Sequence, residues 1–283
     1  MNYVIHHSPC LDGDMAAYIA KKYFAEQKEQ VEFIGENLLN QQYDLSRFKM
    51  EDIIYFLDCC YPLNITNQLA AMVKKITILD HHKSNIEIFD NPSRYLSNIC
   101  PIFDINRSGA GLAWDYFFDK NTRPQLVNYI EDIDLWRHNL LGSDQFLAWI
   151  DSLENINFEE LLDKFPKRFL GSDIFWIGDA ILKYNKKLIN TIIQKGYATT
   201  INGCKAFKVN SPLYELTSQL GNEIYMKYKC IAWIWHETTE NGKRIIKNSL
   251  RCNATGPYDV SEIAKLHGGG GHKAAAAFID RID

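Results

Sequence analysis

Short apolar runs recur through the first half of the chain, at Tyr3-Val4-Ile5 and at positions 31–34, 53–57 and 76–79. Runs this short and this continuous in Ile, Val and Leu are the pattern of strands buried on both faces. The segments between them, such as 15–28 and 65–73, suit crossover helices. The alternation predicts an α/β domain built on an open, mainly parallel sheet. From about 155 to 195 the texture is helical. Ile177, Ile181, Tyr184, Leu188 and Ile192 fall at spacings of four, three, four and four, tracing one apolar helix face, and Gly196 is placed to cap its end. Strands return at 204–209, 231–235 and 245–252, with Asn241-Gly242 as a hairpin turn between the last two. A short helix is expected from Asp259, a good N-cap residue, to about Leu266, then a final strand near 275–279. The expected organisation is an N-terminal domain over 1–150, a helical linker over 151–198 and a smaller C-terminal α/β domain over 199–283.

Composition narrows the partners. With 46% hydrophobic and 23% charged residues in 283, the chain has enough apolar content for two packed cores and too much for disorder. The net charge of −4 argues against a protein that grips long duplex nucleic acid, which needs a basic surface to release counterions from many phosphates. A small anionic ligand stays compatible, because a few local cations outweigh a mildly acidic total. The seven cysteines are odd in number and scattered, and two are adjacent at Cys59-Cys60, which disfavours a disulfide framework. No signal-like start and no apolar run of about 18 residues is present, so the expected setting is the cytoplasm, away from membranes.

The candidate chemistry sits where the apolar runs end. Tyr3-Val4-Ile5 leads into His6 and His7, then Asp12-Gly13-Asp14; the run 53–57 ends at Asp58; the run 76–79 ends at Asp80-His81-His82. Functional groups of open parallel sheets gather outside the carboxyl ends of the strands. Any one of these residues alone reads as a turn former, a cap or a packed imidazole. Three successive strand ends with the same signature point instead to convergence. Carboxylates gathered without a cation would repel one another, and a divalent ion removes that conflict. A donor set of carboxylates with fewer imidazoles suits Mn, Mg, Co or Fe, and paired clusters sharing a carboxylate suit two ions about 3.5–4 Å apart.

These motifs resemble those of the DHH phosphoesterase superfamily. Asp80-His81-His82 matches the motif that names it, LDGD at 11–14 the first motif, Asp58 the second, and YIEDIDLWR at 129–137 the fourth. GGGGH at 268–272 is similar to the glycine-histidine signature of the DHH-associated C-terminal domain. The resemblance implies a two-metal phosphoesterase. His7, Asp12 and Asp58 would hold one ion. Asp14, Asp58, His81 and Asp132 would hold the other, with Asp58 bridging. Two choices depart from the family pattern: His7 lies five residues before Asp12 rather than four, leaving His6 as an alternative, and Asp134 stands as an alternative to Asp132. Asp80 and His82 are carried over as catalytic residues, His82 behind the metals or at the phosphate. Two divalent ions are implied, Mn2+ first, with Mg2+ or Co2+ as substitutes.

The same resemblance makes Arg251 a phosphate-gripping arginine, suited by its guanidinium fork, and Gly269, Gly270, Gly271 and His272 an anion-binding loop, where missing Cβ atoms admit a phosphate. Ser108 and Gly109-Ala110-Gly111 read as a plain helix N-terminus with Ser108 as cap, or as a second anion site. Trp114, Trp136, Trp233 and Trp235 are expected mostly in the core. The implied activity is hydrolysis of short RNA or DNA oligonucleotides, dinucleotides or the bisphosphate pAp. Alternatives are a cyclic- or linear-dinucleotide signalling phosphodiesterase and, less favoured, a nucleotide sensor without catalysis. A homodimer is an expected possibility, and the cysteines receive no role.

Overall fold

The computed structural model describes residues 1–36, 43–240 and 242–282. The chain divides into two compact units, Met1–Gly178 and Asp179–Asp283, and the division falls within one helix.

The first unit runs β1 (Asn2–His7), α1 (Leu11–Gln27), β2 (Val31–Glu36), β3 (Ile53–Leu57), α2 (Leu63–Ala70), β4 (Lys75–Asp80), α3 (Lys83–Phe89), β5 (Ile99–Phe103), α4 (Gly109–Phe117), α5 (Gln125–Asp134), α6 (Ser143–Ile150) and α7 (Phe158–Lys164), and it takes in the start of α8 (Asp173–Gln194). Its five strands lie in the order β2-β1-β3-β4-β5, every neighbouring pair parallel. Alternate residues of the central strands feed two cores. Val4, Leu57 and Leu79 pack with Met15, Ile19, Phe24, Ala113, Phe117 and Ile130 on one face. Tyr3, Ile5, Ile54, Phe56, Ile76 and Ile78 pack with Leu69 and Ala70 on the other. Burial on both faces is why these strands read as unbroken apolar runs. Strand β5, which the pattern did not single out, is at the sheet edge, where Pro101 is tolerated.

Helix α1 starts at Leu11, earlier than position 15, so Asp12 and Asp14 lie in its first turn, where the helix dipole favours acidic side chains.

The second unit, after the rest of α8, holds β6 (Tyr197–Ile201), β7 (Cys204–Asn210), α9 (Thr217–Tyr228), β8 (Ile231–Glu240), β9 (Lys243–Arg251), α10 (Val260–Leu266), β10 (Gly270–His272) and β11 (Ala275–Arg281). The sheet order is β10-β11-β9-β8-β7-β6. Only β7 and β8 pair in parallel, because α9 carries the chain across between them. The β8–β9 ladder runs to Glu240 opposite Lys243; of the expected Asn241-Gly242 turn, Asn241 lies outside the described residues. Asp259 caps α10 as expected, accepting a 3.0 Å bond from the Ser261 amide. The apolar stripe of α8 is placed differently from the expectation. Ile189 and Ile193 are buried against α9 and the sheet, while Ile177 and Tyr184 are about half exposed, at 49% and 59%. The helix has apolar side chains broadly enough around 188–193 that docking, not spacing, chose the buried line.

Truncating the fully buried Phe56, two residues before Asp58, tests this packing. Phe56→Ala is expected to lower unfolding stability by about 3–5 kcal/mol, read from urea denaturation midpoints.

Candidate metal centre

The strand order 2-1-3-4-5 reverses direction at the β1/β3 pair, and a crevice opens at the carboxyl ends of strands where winding reverses. His7 ends β1, Asp58 follows β3, and Asp80 ends β4 with His81 and His82 behind it.

Asp58 is at the centre. It is 1% exposed, its backbone is left-handed with φ +58°, and its amide donates to the Leu79 carbonyl at 2.9 Å. A non-glycine residue in that region carries strain of order 1 kcal/mol or more, which the contacts of its carboxylate offset. Oδ2 lies 3.3 Å from His7 Nδ1, and Oδ1 lies 3.1 Å from His81 Nε2. The Cys10 Sγ approaches Oδ2 at 3.8 Å. Gly109 packs so closely that a Cβ there would sit 2.5 Å from Asp58 Cβ and 2.9 Å from Asp12 Oδ2; no larger residue fits.

Asp12, 1% exposed, accepts from the Gly109 and Ala110 amides at 2.5 and 3.0 Å. The N-terminus of α4 thus holds the protein's own Asp12 carboxyl group. Ser108 caps the same helix, accepting from the Gly111 amide at 3.1 Å. Glu131 fixes this turn from α5: its Oε2 accepts from the Ser108 amide at 3.2 Å and from Arg107 Nε at 2.8 Å. Arg107 and Arg123 both also grip Asp115. Composition and spacing carried no sign of this network.

Asp80 is wholly buried and its oxygens are in use. Oδ1 accepts from the His81 and His82 amides at 2.7 and 3.2 Å and meets His82 Nδ1 at 2.7 Å, and Oδ2 accepts from Asn85 Nδ2 at 2.6 Å. Asp80 therefore positions both histidines and, with Nδ1 of the half-exposed His82 ring engaged, leaves the other ring nitrogen for an outside partner.

Asp132, the expected fourth-motif ligand, is engaged elsewhere. Its oxygens accept from the Asn139 amide at 3.0 Å, the Leu140 amide at 3.1 Å and the Ser143 hydroxyl, closing the loop between α5 and α6. Two positions on, Asp134 Oδ2 lies 3.5 Å from His81 Nε2. Residues two apart on a helix face different ways, and α5 turns Asp134 to the cluster. Asp14 also departs from expectation: it meets His6 Nδ1 at 3.3 Å and accepts from the Cys10 amide at 3.3 Å, outside the groups that share a centre.

Among the described residues, three sets of donor atoms lie within 4.8 Å of one another: His7, Cys10 and Asp58; Asp12, His81 and Asp134; and Asp58, Asp80, His81 and His82. The groups of the cluster shift one another's proton affinity. The Asp58 hydrogen bond raises His7 to about 10. Burial pulls His81 down, but Asp58 and Asp134 together carry it up to about 9. Burial would raise Asp58, yet its bonds to His7 and His81 hold it near 2. Burial, then repulsion from Asp58 and Asp134, raises Asp12 well above the carboxylate range, and burial lifts Asp134 to about 6. Carboxylates so crowded and imidazoles so aimed fit divalent cations.

In the second unit Arg251 ends β9, packed against Gly221 of α9. Its Nη1 donates to the Leu250 carbonyl at 3.0 Å, its buried Nε has no partner among the described residues, and burial lowers its pKa. The glycine run is used for packing as well as freedom. The Gly268 and Gly269 amides close α10 on the Lys265 and Ala264 carbonyls, and a Cβ on Gly269 would lie 2.1 Å from the Ala277 carbonyl oxygen. Gly270, Gly271 and His272 form the edge strand β10, with the His272 side chain exposed. Trp114 is in the core, whereas Trp136 is 56% exposed.

No family model matches the sequence. A curated relative, the uncharacterized protein R106 of Acanthamoeba polyphaga mimivirus, is 26% identical over 98% of this chain, and the chain spans 66% of that relative's length. Solved structures align along nearly the whole chain. The pGpG-specific phosphodiesterase PggH of Vibrio cholerae aligns over 99% of this chain and 93% of its own, at TM-score 0.56 and 14% identity. The exonuclease RecJ bound to manganese aligns over 100% and 86%, at 0.53 and 14%. RecJ of Thermus thermophilus in complex with Mn2+ aligns over 100% and 49%, at 0.50 and 14%. This chain shares the fold of PggH and RecJ: a parallel five-stranded sheet followed by a second, mixed sheet. Among the described residues no helix is long and apolar enough to cross a membrane.

Two tests separate the carboxylates and the protons. Asp134→Asn is expected to weaken divalent-ion binding by at least about tenfold in calorimetry, while Asp132→Asn lowers stability by about 1–3 kcal/mol, through its orphaned amides, and leaves affinity near wild type. In metal-free protein, the stability from His7 and His81 is complete below their unfolded pKa near 6.5 and is lost as pH rises through about 9 and about 10. The melting temperature of metal-free protein should therefore fall from pH 7 to pH 10, and saturating Mn2+ should remove most of that fall by replacing the protons.

Proposed function

We propose that this chain is a divalent-metal-dependent phosphoesterase acting on short oligonucleotides or small nucleotides. The observation that carries this reading is the convergence of His7, Asp12, Asp58, His81 and Asp134 at one reversal point of a parallel sheet, with His7 and His81 on the two oxygens of a buried Asp58 and Asp12 and Asp134 at 4.0 and 3.5 Å from His81. Ions held there would supply Lewis acidity toward a phosphoryl oxygen and lower the pKa of water.

The protein's own groups do the remaining work. Asp58 Oδ2 faces His7 and Oδ1 faces His81, so one carboxylate can serve two ions. Asp12 and Asp134 add charge on the His81 side. Asp80 orients His82, whose outer ring nitrogen can donate to a phosphate oxygen. The bond to Asp80 raises the pKa of His82, which favours the cationic imidazolium, and a cation at that place attracts an anionic substrate where a neutral ring would not. Arg251, with a buried Nε lacking any partner among the described residues, suits a terminal phosphate, and the exposed His272 at the end of β10 suits a phosphate as a second donor. The net charge of −4 supports short substrates over long duplexes. Mn2+ is the ion in both RecJ structures and is our first choice.

A second reading is specific. PggH, named as a pGpG-specific phosphodiesterase, aligns over nearly the full length of both chains, which favours a linear dinucleotide as substrate over pAp or a longer nanoRNA. A sensor without catalysis is disfavoured, because His7, Asp12, Asp58, His81 and Asp134 still offer donor atoms at one centre.

The deciding experiment is hydrolysis of pAp, pGpG, pApA, a five-residue RNA, a 24-residue RNA and pyrophosphate with Mn2+. We expect mononucleotide release from the short substrates, reduced at least about a hundredfold in His81→Ala, and little turnover of the 24-residue RNA. Tight nucleotide binding with no turnover of any substrate would overturn the hydrolase and leave the sensor.

A further inference from the structure

Cys10 falls in the turn between β1 and α1, at the N-cap position of the helix, where its side chain makes no capping bond. The thiol points elsewhere. Its Sγ lies 3.8 Å from Asp58 Oδ2, the same oxygen that lies 3.3 Å from His7 Nδ1. One nitrogen of His7, the Cys10 sulfur and one oxygen of Asp58 all lie within 4.8 Å of one another. An ion about 2.0–2.3 Å from each donor fits inside such a triangle. The other side of Asp58 is different in kind: Oδ1 faces His81, and Asp12, His81 and Asp134 form a set of oxygens and one imidazole.

The other thiols are disposed differently. Cys59 is buried and donates to the Ile5 carbonyl at 3.7 Å; Cys252 donates to the carbonyls of Tyr258 and Lys273 at 3.6 and 3.3 Å. Cys10 is partly exposed and meets a carboxylate that itself belongs to the cluster.

We propose that Cys10 is a metal ligand, so that the centre has two chemically unequal positions. The position built from His7, Cys10 and Asp58 takes a thiophilic borderline ion such as zinc, iron(II) or cobalt. The position built from Asp12, His81 and Asp134, with Asp58 shared, takes a harder ion such as manganese or magnesium. The preference follows from ligand softness: thiolate selects for softer ions, carboxylates and water for harder ones. On binding, the thiol coordinates as thiolate and its proton passes to solvent. The inference rests on the two-metal reading above and deepens it, because it says the two ions need not be alike.

The test is spectroscopic and independent of turnover. Metal-free protein is loaded with two equivalents of Co2+, and its absorption is compared with that of C10S, C10D and, as a control thiol, C100S. We expect an intense near-ultraviolet sulfur-to-cobalt charge-transfer band in wild type and C100S. The band is absent in C10S and C10D, while the weak visible bands of bound cobalt persist. In competition, C10D should shift the zinc-to-manganese preference toward manganese by about tenfold or more. Cobalt bound to wild type without the charge-transfer band, or a band that survives in C10S, would overturn the role of Cys10 and leave the two-metal reading standing. Failure of wild type to bind either cobalt or manganese would overturn both.

Discussion

The first unit is organised around a carboxylate buried where water cannot compensate it. Asp58 sits at the end of a central strand, almost without exposure and in a left-handed backbone, with imidazoles on both of its oxygens. A buried charge of this kind persists only with partners or a metal. Much of the local architecture supplies them: β1 brings His7, β4 brings His81, and the glycine at the start of α4 allows Asp12 to close in.

Around this centre a shell of polar contacts takes up the positioning. Asp80 has spent its acceptors on the two histidines that follow it, Asp132 on the loop after α5, and Glu131 on the turn that starts α4. These carboxylates are as buried as Asp12 and Asp58, while Asp134 is exposed, so burial alone does not tell a ligand from its support. The distinction lies in what each oxygen faces. The oxygens of Asp132 meet only amides and a hydroxyl, whereas Asp58 and Asp134 face the imidazoles, and Asp12, held by two amides, also comes within 4.0 Å of His81.

The electrostatics of the centre express the same division. Carboxylates brought together by folding raise one another, except Asp58, which the two imidazoles hold low. A site that stores protons when empty exchanges them for metal, which couples its occupancy to pH. Under the proposed function, bound ions would draw an anionic substrate to this centre although the overall charge of the chain is mildly negative.

The sequence by itself determined the parallel sheet, because strands buried on two faces must be apolar throughout, and it determined that His7, Asp58 and Asp80-His81-His82 end three of those strands. Strand ends are legible because periodicity stops there. The edge strand β5, the polar helix α9 and the short β10 were not legible, since their residues carry little periodic signal of their own and owe their conformation to neighbours. Only tertiary structure turned Asp134 to His81 and Asp132 to the loop after α5, turned Asp14 to His6, and brought Cys10 to Asp58. The reason is geometric. A motif fixes which residues are near one another along the chain, but helix rotation and the donors of distant segments decide which carboxylate is already satisfied and which remains open.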